Sequence, residues 1–367
     1  LCIRIRYRYE MDKYINKLNH DFMTNQKILN LISKIDLYKG KWNSIEKQEN
    51  IYLKELRKIA TIESIGSSTR IEGGTLTDKE IEELLKDIKI TKLKTRDEQE
   101  VIGYYDTLEI IYENSDNINL SENYIKQLHQ NLLRYSDKDT RHCGQYKSLS
   151  NKVVANYPNG IQKVIFNTTE VHLVENEMRY LINWTNNQFE KREIHPLIIT
   201  ANFVYEFLSI HPFQDGNGRL SRLLTTLILL QQDYLFIQYV SFENSIEKTK
   251  KEYYQALMDS QKNRNKKNEN ISKWILYFLD KLSVLTQRLD EKYDVFKSKG
   301  GYLNERQKAI KEYLNKNQPL KISDLAKRFD NININTMKKD LQYMKKEQVI
   351  KSVSKGKGTV YIVENNK

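Results

Sequence analysis

A mainly α fold, with one small β-hairpin and a separate C-terminal domain, is what the sequence predicts. Apolar residues recur mostly at intervals of three and four, the spacing of a helix face. Only four prolines and thirteen glycines interrupt 367 residues. Clear β signal in the first 300 residues is confined to a single stretch, 153–166. Hydrophobic residues at 39% and charged residues at 29% describe a folded chain long enough for two or three domains.

In chain order, residues 12–60 read as helices. The segment IYLKELRKIATIESIGSSTRIEGG continues that rhythm and stops at Gly73 and Gly74, a helix C-terminus signal. Thr77 and Glu80 fit a capping box that opens the next helix. Two helices follow over 97–135. Val153, Val154 and Val164 to Phe166 are β-formers around Pro158, Asn159 and Gly160, which make a hairpin turn. Helices resume over 171–190, over 195–210, and again in GRLSRLLTTLILLQQ. The loop KNRNKKNEN is solvated, and KSKGG at 297–301 is the expected domain boundary. Beyond it, helices at 304–316, in ISDLAKRF and in NTMKKDLQYMKKEQVI precede the strands IKSVS and TVYIV, a winged helix-turn-helix pattern. The expected divisions are 1–96, 97–296 and 302–367.

The net charge of +12 and pI near 9.2 hint at a polyanionic partner. From residue 302 onward fifteen residues are Lys or Arg and seven are Asp or Glu, so eight of those charges lie in the tail. Cys2 and Cys143 are too few for a disulfide framework and lack metal-ligand spacing, which points to a reducing cytoplasm. The start, LCIRIRYRYE, is too charged for a signal peptide, and Met11 is the expected natural start. The longest apolar stretch, 223–230, is too short to span a bilayer.

HPFQDGNGRLSR, residues 211–222, carries the chemistry. Gly216, Asn217 and Gly218 let the backbone turn tightly just before a helix, so free N–H groups and the positive dipole end meet in an anion cradle. Arg219 and Arg222 share a helix face and can fork onto phosphate oxygens. Asp215 can hold Mg²⁺ bridging those phosphates. His211 is a base whose ordinary pKa, about 6.5, suits proton removal at neutral pH. Phe213 is expected to anchor the loop in the core. Singly, each of these features is commonplace; together they assemble a triphosphate site with a base beside it.

At every fixed position this segment matches H-x-F-x-[D/E]-G-N-G-R-x-x-R, and the chain resembles the Fic family over about residues 60–280. The resemblance implies a Fic-type helical core and transfer of AMP from ATP, with Mg²⁺, to a hydroxyl of a target protein. It makes His211 the general base and Asp215 the metal ligand. It puts Asn217 on the α-phosphate and Arg219 and Arg222 on the β- and γ-phosphates. The hairpin falls where the family has a flap that pairs with an extended target segment, with Val153, Val154, Ala155 and Asn156 beside the nucleotide; a plain structural hairpin is the rival reading. Tyr253 resembles the family tyrosine near the adenine, with Tyr254 and core packing as rivals. Lys147 departs from the arginine common in relatives.

STRIEG, residues 68–73, resembles the family's inhibitory motif [S/T]-x-x-x-E-[G/N]. The resemblance implies that Glu72, one helical turn from Ser68, pairs with Arg222 in the space the γ-phosphate needs; an ordinary helix end is the alternative. The same carboxylate is suited to orienting a water that removes AMP. In the tail, Lys338, Lys339, Lys345, Lys346, Lys351, Lys355 and Lys357 suit DNA phosphates. Winged helices equally serve protein contacts or dimerisation, which leaves a homodimer open. Two function classes therefore stand: an adenylyltransferase whose tail recruits a partner, and a DNA-binding regulator whose Fic domain senses nucleotide. The intact His211 favours the first, because a sensor needs no base.

Overall fold

The structure, a computed structural model, describes residues 14–46, 51–86, 93–156, 162–298, 303, 305–346, 349–353 and 359–363. The hairpin turn at Pro158 to Gly160, Met11, and the wing lysines Lys355 and Lys357 lie outside these residues, as do the side chains of Val154, Ala155, Asn156 and Lys346. Two compact units are present. The first runs to Leu289, apart from residues 50–56, which group with the second from Asp290 onward.

Helices dominate the first unit. Helix α1 (Phe22–Glu46) buries Ile28, Ile32, Ile35, Tyr38 and Trp42, a stripe at spacings of three and four. Helix α2 (Ile51–Glu72) ends at Gly73, whose φ of +110° supplies the left-handed exit. Thr77 N–H donates to Glu80 Oε2 at 2.8 Å and Glu80 N–H returns to Thr77 Oγ1 at 3.3 Å, the expected capping box of α3 (Asp78–Lys86). Helix α4 (Arg96–Asn114) opens with a second box, from Thr95 and Glu98, and Ser121 caps α5 (Glu122–Leu132).

Strands β1 (Lys152–Asn156) and β2 (Gln162–Asn167) pair antiparallel, with a bulge between Val153 and Val154. Helix α6 (Val174–Lys191) leads to α7 (Pro196–Ile210) and α8 (Asn217–Gln231), the centre of the unit. Both α7 and α8 are almost wholly buried; α7 is apolar nearly all round, whereas α8 also takes Arg219, Ser221, Arg222, Thr225 and Thr226 inside. Proline at the first turn of α7 and the αL residue His211 just past its end delimit it. Helices α9 (Phe242–Lys248), α10 (Lys250–Gln261) and α11 (Ser272–Ser298) complete the packing, and Trp274 Nε1 donates to Ala201 O at 2.7 Å.

The second unit has its own core of Leu303, Ile310, Leu314, Leu325, Met337, Leu341, Met344, Val349, Ile350 and Val363. Its helices are α12 (Glu305–Asn317), α13 (Ile322–Arg328) and α14 (Ile334–Lys346). Arg306 forks onto Asp340 at 2.6 and 3.0 Å, tying α12 to α14. Three strands, β3 (Leu320–Lys321), β4 (Ile350–Val353) and β5 (Val360–Val363), form an antiparallel sheet in the order β3-β5-β4.

Three expectations need correction. The ribbon has a third strand, β3, too short to show a period-two pattern. The last helix stops at Lys346, and Val349 and Ile350, expected in it, turn their β-branched side chains into the core, with Ile350 opening β4. The expected boundary at 297–301 falls partly outside the described residues; the compact units divide at Asp290, inside the continuous helix α11, and residues on both sides of 96–97 belong to the first. Among the described residues, no helix is long and apolar enough to cross a membrane.

Candidate active site

The loop from His211 to Gly216 joins two buried helices and is held from several sides. Phe213 is fully buried, as expected. Its N–H donates to Asn217 Oδ1 at 2.9 Å, and Asn217 Nδ2 donates to Phe213 O at 2.7 Å. Asn217 thus spends its carbonyl and one N–H on the shape of the loop. Gly216 has a φ of +76° and caps α8, a conformation that disfavours a side chain. Gly218 brings the backbone close to Glu72: a Cβ there would overlap Glu72 Oε1 and push that carboxylate aside.

His129, on α5, was missed by sequence reasoning. Its ring stacks on Phe213 with centroids 3.8 Å apart. Gly144 N–H donates to its Nδ1 at 2.9 Å, so Nε2–H is left to donate to Asp215 O at 3.0 Å. Burial lowers its pKa to about 4, keeping the ring neutral in this role. In sequence the only signal is a histidine on the apolar face of Ile125, Leu128 and Leu132, which is more often simple packing.

Lys147 gains a clear place. Its ammonium is buried and donates to Asn151 Oδ1 at 2.8 Å, Thr168 Oγ1 at 2.7 Å and Ile210 O at 3.2 Å. Three donors meet three acceptors, so the base of the hairpin is tied to the end of α7 next to His211. Burial lowers its pKa to about 8. Asn151 Nδ2 adds a bond to Phe213 O at 2.8 Å.

A cavity of about 310 Å³ opens beside the loop. His211, Asp215, Gly216, Asn217, Gly218, Arg219 and Arg222 all line it, with Glu72 from α2 and Lys152 and Val153 from the hairpin. Tyr253 and Tyr254 both reach it, so the structure does not choose between these two rings. Tyr253 also packs edge-on against Trp274, centroids 5.7 Å apart.

Charge is closely paired in this cavity. Arg222 is buried; its Nη2 donates to Glu72 Oε1 at 2.8 Å and to Ser68 O at 3.0 Å, and its Nε to Ser68 Oγ at 2.8 Å. Burial opposes the charge on Glu72, yet Arg222 and Arg219 hold its carboxyl below the usual range. Asp215 is similarly desolvated, while Arg219, the Gly216 N–H and Arg96 keep it ionised. Its Oδ1 accepts from Gly216 N–H at 2.6 Å. Arg219 faces Glu100 Oε2 at 3.1 Å and Asp215 Oδ1 at 3.4 Å. Glu100 and Arg96, both on α4, were not anticipated.

His211 takes a left-handed backbone position, φ +53°, with Nδ1 at 3.3 Å from Leu208 O. A proton on Nδ1 makes that contact, which leaves the Nε2 lone pair free. Burial pushes the pKa down to about 4. A neutral base, an ionised carboxylate, two arginines and the N-terminus of a helix thus share one cavity, a set suited to activating a hydroxyl beside a polyphosphate.

Residues 119–229 match the Fic/DOC family. Over that span the chain is similar to Fic domains. Its fold is similar to that of a Fic family protein from Desulfovibrio desulfuricans G20, with a TM-score of 0.67 and 21% identity, covering 96% of this chain and 98% of that one. A Fic domain containing signaling protein from Bacteroides thetaiotaomicron gives a TM-score of 0.56 at 24% identity, over 76% of this chain and 99% of that one. In sequence, the chain is 28% identical over 191 residues to the protein adenylyltransferase Fic of Drosophila grimshawi, 51% of this chain and 36% of that protein. It is 36% identical over 80 residues to a Fido domain-containing protein of Dictyostelium discoideum, 22% of this chain and 54% of that protein. The chain therefore spans only about a third of the insect protein's length.

Proposed function

We propose that this protein transfers AMP from ATP to a hydroxyl of a target protein, and that Glu72 restrains it. The observation that carries the reading is the convergence of His211, Asp215, Gly216 to Gly218, Arg219 and Arg222 on one cavity, with Glu72 bonded to Arg222 inside it. The similarity to protein adenylyltransferases supports the same reaction.

In this reading the target oxygen attacks the α-phosphorus of ATP, and His211 Nε2 takes the hydroxyl proton. The bond from the α-phosphorus to the bridging oxygen breaks, and pyrophosphate leaves. The α8 N-terminus and the arginines hold the phosphates in line, so catalysis comes from positioning and charge stabilisation. Among the described residues, no group of three His, Cys, Asp or Glu side chains could hold a metal by itself. A lone carboxylate, Asp215, fits Mg²⁺ that takes its other ligands from phosphates and water. When bound, Mg²⁺ would offset phosphate charge in the transition state. Val153 and Lys152 border the cavity, which supports a flap role for the hairpin in presenting the target segment.

Glu72 satisfies the arginine that a γ-phosphate would need. Replacing it with Gly should raise labelling of lysate proteins by radioactive ATP at least about tenfold, equivalent to ~1.4 kcal/mol of barrier. Adding Arg222→Ala should cancel the gain, and His211→Ala should abolish transfer while ATP binding survives. A Glu72→Gly protein that binds ATP yet labels nothing would reject the transferase reading and favour a nucleotide sensor.

For the second unit, the exposed Lys338, Lys339 and Lys345 of α14 support a polyanion partner such as DNA.

A further inference from the structure

Arg219 is 2% exposed, and its Nε has no hydrogen-bond acceptor among the described residues. Its Nη1 lies 3.1 Å from Glu100 Oε2 but outside hydrogen-bond geometry. A buried guanidinium with an unspent donor, lining a cavity, is incomplete without an anion. What holds it there is a closed ring of charges. Arg96 Nε donates to Glu100 Oε1 at 2.7 Å. Glu100 Oε2 faces Arg219, Arg219 Nη2 reaches Asp215 Oδ1 at 3.4 Å, and Arg96 Nη2 closes the ring on Asp215 Oδ2 at 3.3 Å.

The members differ in freedom. Glu100 is nearly buried, its side chain 9% exposed, and it lies outside the signature segment, on α4. Arg96 is 52% exposed. The two inner arginine contacts compete: without Glu100, the nearest remaining anion for Arg219 is Asp215, four residues away on the same loop and helix start.

We propose that Glu100 is a positioning residue that holds the Arg219 guanidinium open toward the phosphates of ATP instead of letting it fold onto Asp215. Arg96 is the solvent-side counter-ion that pairs with Glu100 Oε1 and fixes its orientation. This role rests on the nucleotide reading of the cavity given above.

The test separates phosphate capture from general integrity of the pocket. In a Glu72→Gly background, binding of ATP and of AMP is measured by calorimetry, each with Mg²⁺. Glu100→Ala should weaken ATP about tenfold, the size of one charge-assisted contact, and leave AMP within about twofold. Glu100→Gln, which keeps an acceptor for Arg219, should recover most of the ATP affinity. Arg219→Ala should lose ATP affinity similarly, with no further loss when combined with Glu100→Ala, because the two act on one contact. Should Glu100→Ala fail to fold, Glu100→Asp carries the same test, since it keeps the charge but shortens its reach. Equal loss of ATP and AMP would make Glu100 merely structural and overturn the proposal, as would unchanged ATP binding or additive losses in the double variant. If the parent bound no ATP, the nucleotide reading itself would fall, and this role with it.

Discussion

His211 presents Nε2 to the cavity because Nδ1–H is engaged with Leu208 O and the backbone is left-handed just past the end of α7. Burial sets its pKa near 4, below the ordinary value, so the imidazole stays unprotonated through neutral and mildly acid solution. The pH profile follows. For the Glu72→Gly protein, kcat/KM should stay level from about pH 8 to about pH 5 and fall with an acid limb near pH 4, since kcat/KM reports the free enzyme. An acid limb near 6.5, the free imidazole value, would mean that water reaches the ring. The stability dependence has the same origin. As pH falls below about 6.5 the unfolded chain takes up protons that half-buried His211 and buried His129 refuse until about 4, so stability drops across that window. The histidine was legible in the motif; its half-buried placement was not, because that depends on which helices close over the loop.

At the scale of an element, the C-terminal end of α2 decides whether Glu72 reaches Arg222. Arg70, within STRIEG, forks onto Glu247 of α9 at 2.7 and 3.1 Å and also donates to Asp78 Oδ1 at 3.0 Å. Lys250 Nζ donates to Ile71 O at 2.7 Å, satisfying a carbonyl the helix end leaves free. These contacts fix the last turn of α2 through residues that do not line the cavity. Glu247→Ala should therefore raise target labelling part of the way toward the Glu72→Gly level, about two- to fivefold, consistent with one partly exposed charge pair. Combined with Glu72→Gly it should add nothing. A Glu247→Ala protein as silent as the parent would show that the Ser68 and Glu72 contacts alone hold the helix. The helix end itself was readable from Gly73 and Gly74, whereas Glu247 lies 177 residues from Arg70 and nothing local announces it.

On the scale of the whole molecule, charge is unevenly distributed. Arginines of the first unit are drawn into pairs around the cavity, while α14 of the second exposes Lys338, Lys339 and Lys345. If these lysines meet DNA phosphates, affinity should fall steeply with salt, since each contact releases a condensed counterion, with a log–log slope of about −0.9 per phosphate. Gel-shift titrations of the full chain at two salt concentrations read that slope, and Lys338→Ala with Lys339→Ala should make it shallower by about two. Absence of a shift even at low salt would assign the unit to protein contacts.

By itself, the sequence determined what is local. Helix ends follow from Gly73, the Thr77–Glu80 box and the glycines before α8. The hairpin follows from a β-branched run, and the tight turn into α8 from the glycines of the twelve-residue motif, because caps, turns and dipoles act over a few positions. Tertiary structure decided the partners. Arg222 meets Ser68 across 154 residues and Asp215 meets Arg96 across 119, while His129 stacks under Phe213 from a different helix. It also decided that the units divide inside α11 and that Leu320 and Lys321 form a strand. A charged or aromatic side chain in a sequence shows what it can bond, but desolvation and proximity select among the candidates, and both arise only when α2, α4, α5 and α8 pack around the same loop.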